Sequence, residues 1–137
     1  MSGALGRVAR GAEDPCPCGG PTYGGCCRPL HHGAPAATAE ALMRSRYSAY
    51  ALGETDHLWR TWHPRTRPAR VTAHDALSWR GLEVHATTGG DGPEDTEGTV
   101  TFTARYDGPT GPEVLREHSR FVRRGGRWVY LDGTPPD

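Results

Sequence analysis

The chain has 137 residues, enough for one globular domain with a small appendage around one modest core. Its 16 basic residues, all arginine, balance 16 acidic ones, so no bulk field draws it to nucleic acid or a membrane surface. No apolar run approaches the roughly 20 residues of a membrane span. Residues 1–14 carry arginines but no apolar stretch of a secretory signal, so a chain in the reducing cytoplasm is expected.

Residues 1–14 read as a mobile tail, rich in Gly, Ala, Arg and acidic residues. Residues 15–33 hold every cysteine, in the pattern Cys16-x-Cys18-x7-Cys26-Cys27. Adjacent Cα atoms lie only about 3.8 Å apart, too close for a Cys26–Cys27 disulfide. A zinc ion asks less of the backbone, since it takes four thiolates in a tetrahedron at about 2.3 Å. Two crowded bridges across the gap, or a redox thiol cluster, are the alternatives. Four protein ligands leave no open position, so such a zinc is structural. His31 and His32 follow the cysteines and read as exposed loop residues.

Residues 38–52 form the clearest helix. Thr38 is its N-cap, Glu40 suits its first turn, and Gly53 stops it. Ala39, Leu42, Met43, Tyr47, Tyr50 and Ala51 make an apolar stripe at three- and four-residue spacing. Arg46 lies inside that stripe and Arg44 on its edge. A short second helix runs from Thr55 or Asp56 to Trp62 and ends at His63-Pro64. Residues 64–75 look irregular.

Strands are expected over 79–87, 99–106, 113–124 and 127–132. Gly89 to Gly98 is a loop, Asp107 to Pro112 a turn, and Gly125-Gly126 a two-residue hairpin turn. Val100, Phe102, Ala104 and Tyr106 alternate inward. On the long third strand, Leu115, Glu117, Ser119 and Phe121 share the expected core face; a register slip of one residue would turn Arg116, His118 and Arg120 inward instead. A buried carboxylate needs a cation, and Arg46 is the obvious one for Glu117. That pair reads either as a lock on the fold or as the polar floor of a pocket. Helices first and antiparallel strands last give an α+β domain, a curved sheet with helices on one face.

Cys16-Pro17-Cys18-Gly19 followed by Cys26-Cys27 resembles the SEC-C motif, with a seven-residue gap where eight is commoner and Gly20-Pro21 in place of Ser-Gly. Further runs resemble the YchJ-like family. They are Met43 to Tyr50, Thr61-Trp62-His63-Pro64, Trp79-Arg80-Gly81-Leu82, His118-Ser119-Arg120-Phe121 and Gly126 to Gly133. The resemblance implies a nuclear-transport-factor-2-like (cystatin-like) cone over residues 34–137, behind a zinc knuckle at 15–33. It implies Cys16, Cys18, Cys26 and Cys27 as zinc ligands and no established reaction.

Three functions follow. The first is a zinc-stabilised binding or adaptor module, with the knuckle facing a protein partner and the cone taking a peptide or small ligand. The second is an enzyme acting on a small molecule in the cone. Its candidate pocket residues are Arg46, Tyr47, Tyr50, His63, Glu117, Ser119 and Trp128. The third is an RNA-binding accessory protein using Arg65, Arg67 and Arg70 beside Trp62, and Arg123, Arg124 and Arg127 at the hairpin. The even charge balance argues against it.

Overall fold

The computed structural model describes residues 10–73 and 77–136. Residues 1–9 of the expected tail lie outside that range. Residues 10–14 are tied to the knuckle, since Tyr23 N donates to Asp14 O at 2.8 Å and Gly24 N to Ala12 O at 2.8 Å.

Among the described residues three helices precede four strands: α1 (Arg28–His31), α2 (Ala39–Leu52), α3 (Thr55–Arg60), β1 (Ser78–Gly89), β2 (Glu97–Gly108), β3 (Gly111–Arg124) and β4 (Arg127–Thr134). α2 starts as its sequence dictates. Thr38 is extended, and its Oγ1 accepts from Ala41 N at 3.0 Å. The helix stops at Gly53, at φ 78°. α1 lies inside the segment expected to be knuckle loop, with proline in its first turn. α3 ends two residues short of Trp62, because the next residues leave the helix to meet β4.

The strands form one antiparallel meander in the order β1-β2-β3-β4. β2 and β3 run further than expected toward their turn, leaving only Pro109 and Thr110 between them. β3 and β4 turn at Gly125 and Gly126, with φ of 60° and 81°, the left-handed pair that a two-residue hairpin needs. Register shifts between Trp79 and Gly81, Val84 and Ala86, and Arg120 and Phe121 bend the sheet. α2 lies across its concave side against β1, β2 and β4.

Alternation holds in part: Leu115, expected to face the core, is 39% exposed, and Thr103, on the opposite face of β2 from Phe102, is buried. Val100, Phe102 and Ala104 are buried, and so are Ser119 and Phe121 on β3. Cys16, Cys18, Tyr23 and Cys27 belong to the same apolar core as Leu42, Tyr47 and Phe102. The knuckle is therefore packed into the domain. A parallel bridge joins Trp62 to Tyr130: His63 N donates to Tyr130 O at 2.8 Å, and Tyr130 N donates to Thr61 O at 2.7 Å. It fixes the chain after α3 against β4.

Candidate metal centre and ligand pocket

Two tight turns build the cysteine cluster. Gly19 N donates to Cys16 O at 3.0 Å, curling the first pair, and Cys26 N donates to Tyr23 O at 3.1 Å, presenting the second pair at the start of α1. All four Sγ atoms lie within 4.8 Å of one another. Cys18 Sγ is 3.4 Å from Cys26 Sγ, which is 3.8 Å from Cys27 Sγ. A tetrahedron with metal–sulfur bonds of about 2.3 Å has edges of about 3.8 Å, so the cluster fits a metal ion. The cysteines are free, and three of them are buried.

The thiols also need a cation. Hydrogen bonds from Cys18 and then Cys27 push the Cys16 thiol far down. Burial, aided by Cys18, pushes Cys26 up to about 12, and contact with Cys16 and Cys18 drives Cys27 up as well. Four touching sulfurs do not all ionise without a positive charge among them. α2 supplies the outer contacts. Ser48 Oγ donates to Cys27 Sγ at 3.3 Å and lies 3.6 Å from Cys16 Sγ, and Arg44 Nη1 donates to Cys18 O at 3.0 Å. Arg44 also pairs with Glu40 at 2.9 Å.

His31 is not the exposed loop residue its position suggested; only His32 is exposed. His31 follows Cys27 by one helical turn, and α1 turns it inward. Its Nε2 donates to Ser45 O at 2.8 Å, so its Nδ1 accepts from Tyr23 OH at 2.7 Å. The His57 ring packs against it at a tilt of 56°, centroids 4.8 Å apart, and His57 Nε2 meets Ser45 Oγ at 2.9 Å. Burial lowers the pKa of His31 and takes that of His57 down to about 3. Both rings are neutral struts between the knuckle, α2 and α3.

The other side of α2 closes a cavity of about 350 Å³. Its walls are aromatic and aliphatic, including Trp62, Trp79, Phe102 and Phe121, and its polar groups are Arg46, Glu117, Ser119 and the hydroxyls of Tyr47, Tyr50 and Tyr130. Arg46 is 6% exposed. Its guanidinium carbon lies 4.9 Å from the Trp62 ring centroid and 4.6 Å from that of Tyr130. Its Nη1 donates to Leu58 O at 2.9 Å and Thr61 Oγ1 at 2.8 Å. Burial lowers its pKa to about 10.

Arg46 and Glu117 do not meet as an ion pair among the described residues. Glu117 Oε2 instead accepts from Ser119 Oγ at 2.5 Å and Tyr130 OH at 3.1 Å. Tyr130 therefore stands between cation and carboxylate, its ring under one and its hydroxyl on the other. Burial raises the pKa of Tyr130 and Tyr50, and of Tyr47 to about 12, so all three are neutral phenols.

Two expected pocket residues lie elsewhere. His63 is outside the cavity, where its Nδ1 accepts from Arg65 N at 3.0 Å. Trp128 is on the same face of β4 as Tyr130, but two cross-strand pairs nearer the Gly125–Gly126 turn. There it is buried in a separate recess with Leu42 and Val129. Several lining residues lie outside the expected set, Trp62 and Tyr130 among them. Tyr130 was within reach, being two residues from Trp128 on an alternating strand. Several arginines of the basic stretches serve the fold: Arg67 stacks on Trp59 at 3.4 Å, Arg123 stacks on Trp128 at 4.6 Å, and Arg127 donates to Gly33 O at 3.1 Å.

A cone of this kind behind a four-cysteine knuckle defines a nuclear-transport-factor-2-like domain with an N-terminal SEC-C motif. The comparisons agree. Residues 38–133 match the family described as YchJ, middle NTF2-like domain. A UPF0225 protein of Deinococcus radiodurans is 50% identical, with 88% of each chain covered. One of Streptomyces coelicolor is 52% identical over 87% of this chain and 94% of its own. The solution structure of a SEC-C motif containing protein from Rhodopseudomonas palustris superposes with a TM-score of 0.78 at 32% identity, covering 90% of this chain and all of the other. The crystal structure of a SEC-C motif containing protein from Psychrobacter arcticus gives 0.69 at 27% identity, covering 92% and 85%. The chain belongs to the YchJ-like family. No helix among the described residues is long and apolar enough to cross a membrane.

Proposed function

We propose that this is a zinc-stabilised binding protein whose cone holds a small molecule. One observation carries the reading: a buried arginine without a carboxylate partner stands at the wall of an otherwise largely apolar cavity. Charges of that kind are usually paired within the protein. The cavity lies at the lower end of the usual ligand-site range of roughly 300–1,000 Å³.

Zinc is the ion that suits the knuckle. Four thiolates at tetrahedral spacing favour a soft or borderline ion, and a closed shell gives it a structural role. The cage needs reduced cysteines, which supports a cytoplasmic protein. Its part in this reading is to hold the knuckle against α2 and so to fix the helix that carries Arg46.

The test is native mass spectrometry and metal analysis of the purified chain, followed by thermal-shift titration with a metabolite panel. A ligand at 100 times its Kd adds about 2.7 kcal/mol of stability. Stoichiometric zinc and a stabilising small molecule are expected. A metal-free folded protein that no small molecule stabilises would overturn the proposal.

A further inference from the structure

The cone's polar groups also indicate the chemistry of its guest, an inference that rests on the cone being a ligand site. Trp62 and Tyr130 press on the Arg46 guanidinium from neighbouring sides, their ring centroids 4.9 and 4.6 Å from its carbon and 5.3 Å from each other. Nη1 is engaged by Leu58 O and Thr61 Oγ1. Nε and Nη2 make no hydrogen bond among the described residues and are not sealed from solvent, so they are left for a guest. Glu117 is half used in the same way: Oε2 takes both Ser119 and Tyr130, and Oε1 has no partner among the described residues. The two groups flank one side chain, Tyr130, so donor edge and acceptor oxygen belong to one polar end.

That end carries one positive and one negative charge. An anionic guest gains at Arg46 and is repelled by Glu117; a cationic guest meets the reverse. A neutral guest with an acceptor beside a donor satisfies both. The remaining walls, among them Tyr47, Trp79 and Phe102, suit a flat apolar body. The volume limits that body to one or two rings. We propose that the cone recognises the amide or lactam edge of a small neutral aromatic molecule, its carbonyl oxygen on Arg46 and its N–H on Glu117 Oε1.

Calorimetric titration of the zinc-loaded full chain with three matched probes tests this. The probes are quinolin-2(1H)-one, its N-methyl derivative, and 2-naphthoate. The lactam should bind at least about tenfold more tightly than either of the others. Glu117→Gln removes the repulsive charge from a half-exposed position, so the fold tolerates it. In that variant naphthoate should gain at least several-fold relative to the lactam. Naphthoate binding as tightly as the lactam to the native chain would overturn the lactam assignment and leave the cone a ligand site. So would an N-methyl derivative that binds as well as its parent. If none of the three binds while zinc is retained, the lactam assignment fails; the metabolite panel then decides separately whether the cone takes any guest.

Discussion

Ser48 donates from Oγ to Cys27 Sγ at 3.3 Å, which puts a hydroxyl of α2 inside the thiol cluster. Arg46 lies two residues earlier. Two residues span about 200° of an α-helix, so the pair faces opposite sides. One side of α2 holds the knuckle and the other walls the pocket. A metal in the cluster and a guest in the pocket would therefore act on the same helix without touching.

Ser48→Ala should leave the cage intact and weaken it. Partners that hydrogen-bond to metal ligands typically contribute about 10- to 100-fold in affinity. Competition for zinc against a chromophoric chelator should show a loss of that order, with the fold kept by circular dichroism. Chelating the metal from the native chain should lower Tm and weaken any cone ligand. Unchanged ligand affinity after chelation would show that the knuckle and the cone are independent.

Gly20→Ala is a sharper test of the cage. A Cβ at this position would stand 2.7 Å from Cys26 Sγ and 3.3 Å from Cys26 Cβ. Neither can move without displacing a sulfur from the cluster. Metal affinity should fall by more than in Ser48→Ala, while the cone, which Gly20 does not touch, keeps its near-ultraviolet signature. Retention of full zinc affinity would mean that the sulfurs sit elsewhere.

Local rules made much of this fold legible. Thr38, Gly53 and the Gly125–Gly126 pair act within a few residues of themselves, and each does what its chemistry dictates. The shared face of Leu115, Glu117, Ser119 and Phe121 follows from strand alternation alone. The partners of Arg46 were not legible. Its burial could be read from the stripe on α2, but Leu58 O comes from the next helix, and Trp62 and Tyr130 are joined by a bridge between residues 68 positions apart in the chain. His31 was misjudged for a related reason. Its neighbours Tyr23 and Ser45 arrive from two different elements.

His57 makes stability depend on pH. Its folded pKa is near 3 and its unfolded value near 6.5. The unfolded chain therefore binds the proton first. The stabilisation is fully present above about pH 6.5, falls as pH drops, and is gone below about pH 3. The slope approaches about 1.4 kcal/mol per pH unit for one proton. Gln in this position keeps a nitrogen for Ser45 Oγ and does not titrate. Urea titrations of metal-free chain at pH 7 and pH 5 should show a smaller acid loss in His57→Gln than in the native protein. Equal losses would assign the acid sensitivity to other groups.

Arg46→Met separates a lock on the fold from a ligand group. Burial disfavours the Arg46 charge, lowering its pKa from 12.5 to about 10, a cost on the order of 3 kcal/mol. Methionine refills part of the apolar volume but leaves Leu58 O and Thr61 Oγ1 without their donor. If the guanidinium serves the pocket, the variant should lose less than about 2 kcal/mol of stability in urea, since Thr61 can turn to water and the desolvation cost is relieved. Its affinity for any cone ligand should fall by at least about tenfold. A loss above about 4 kcal/mol, of the size seen when a buried network is broken, would make Arg46 a structural lock and remove the main support for a ligand in the cone.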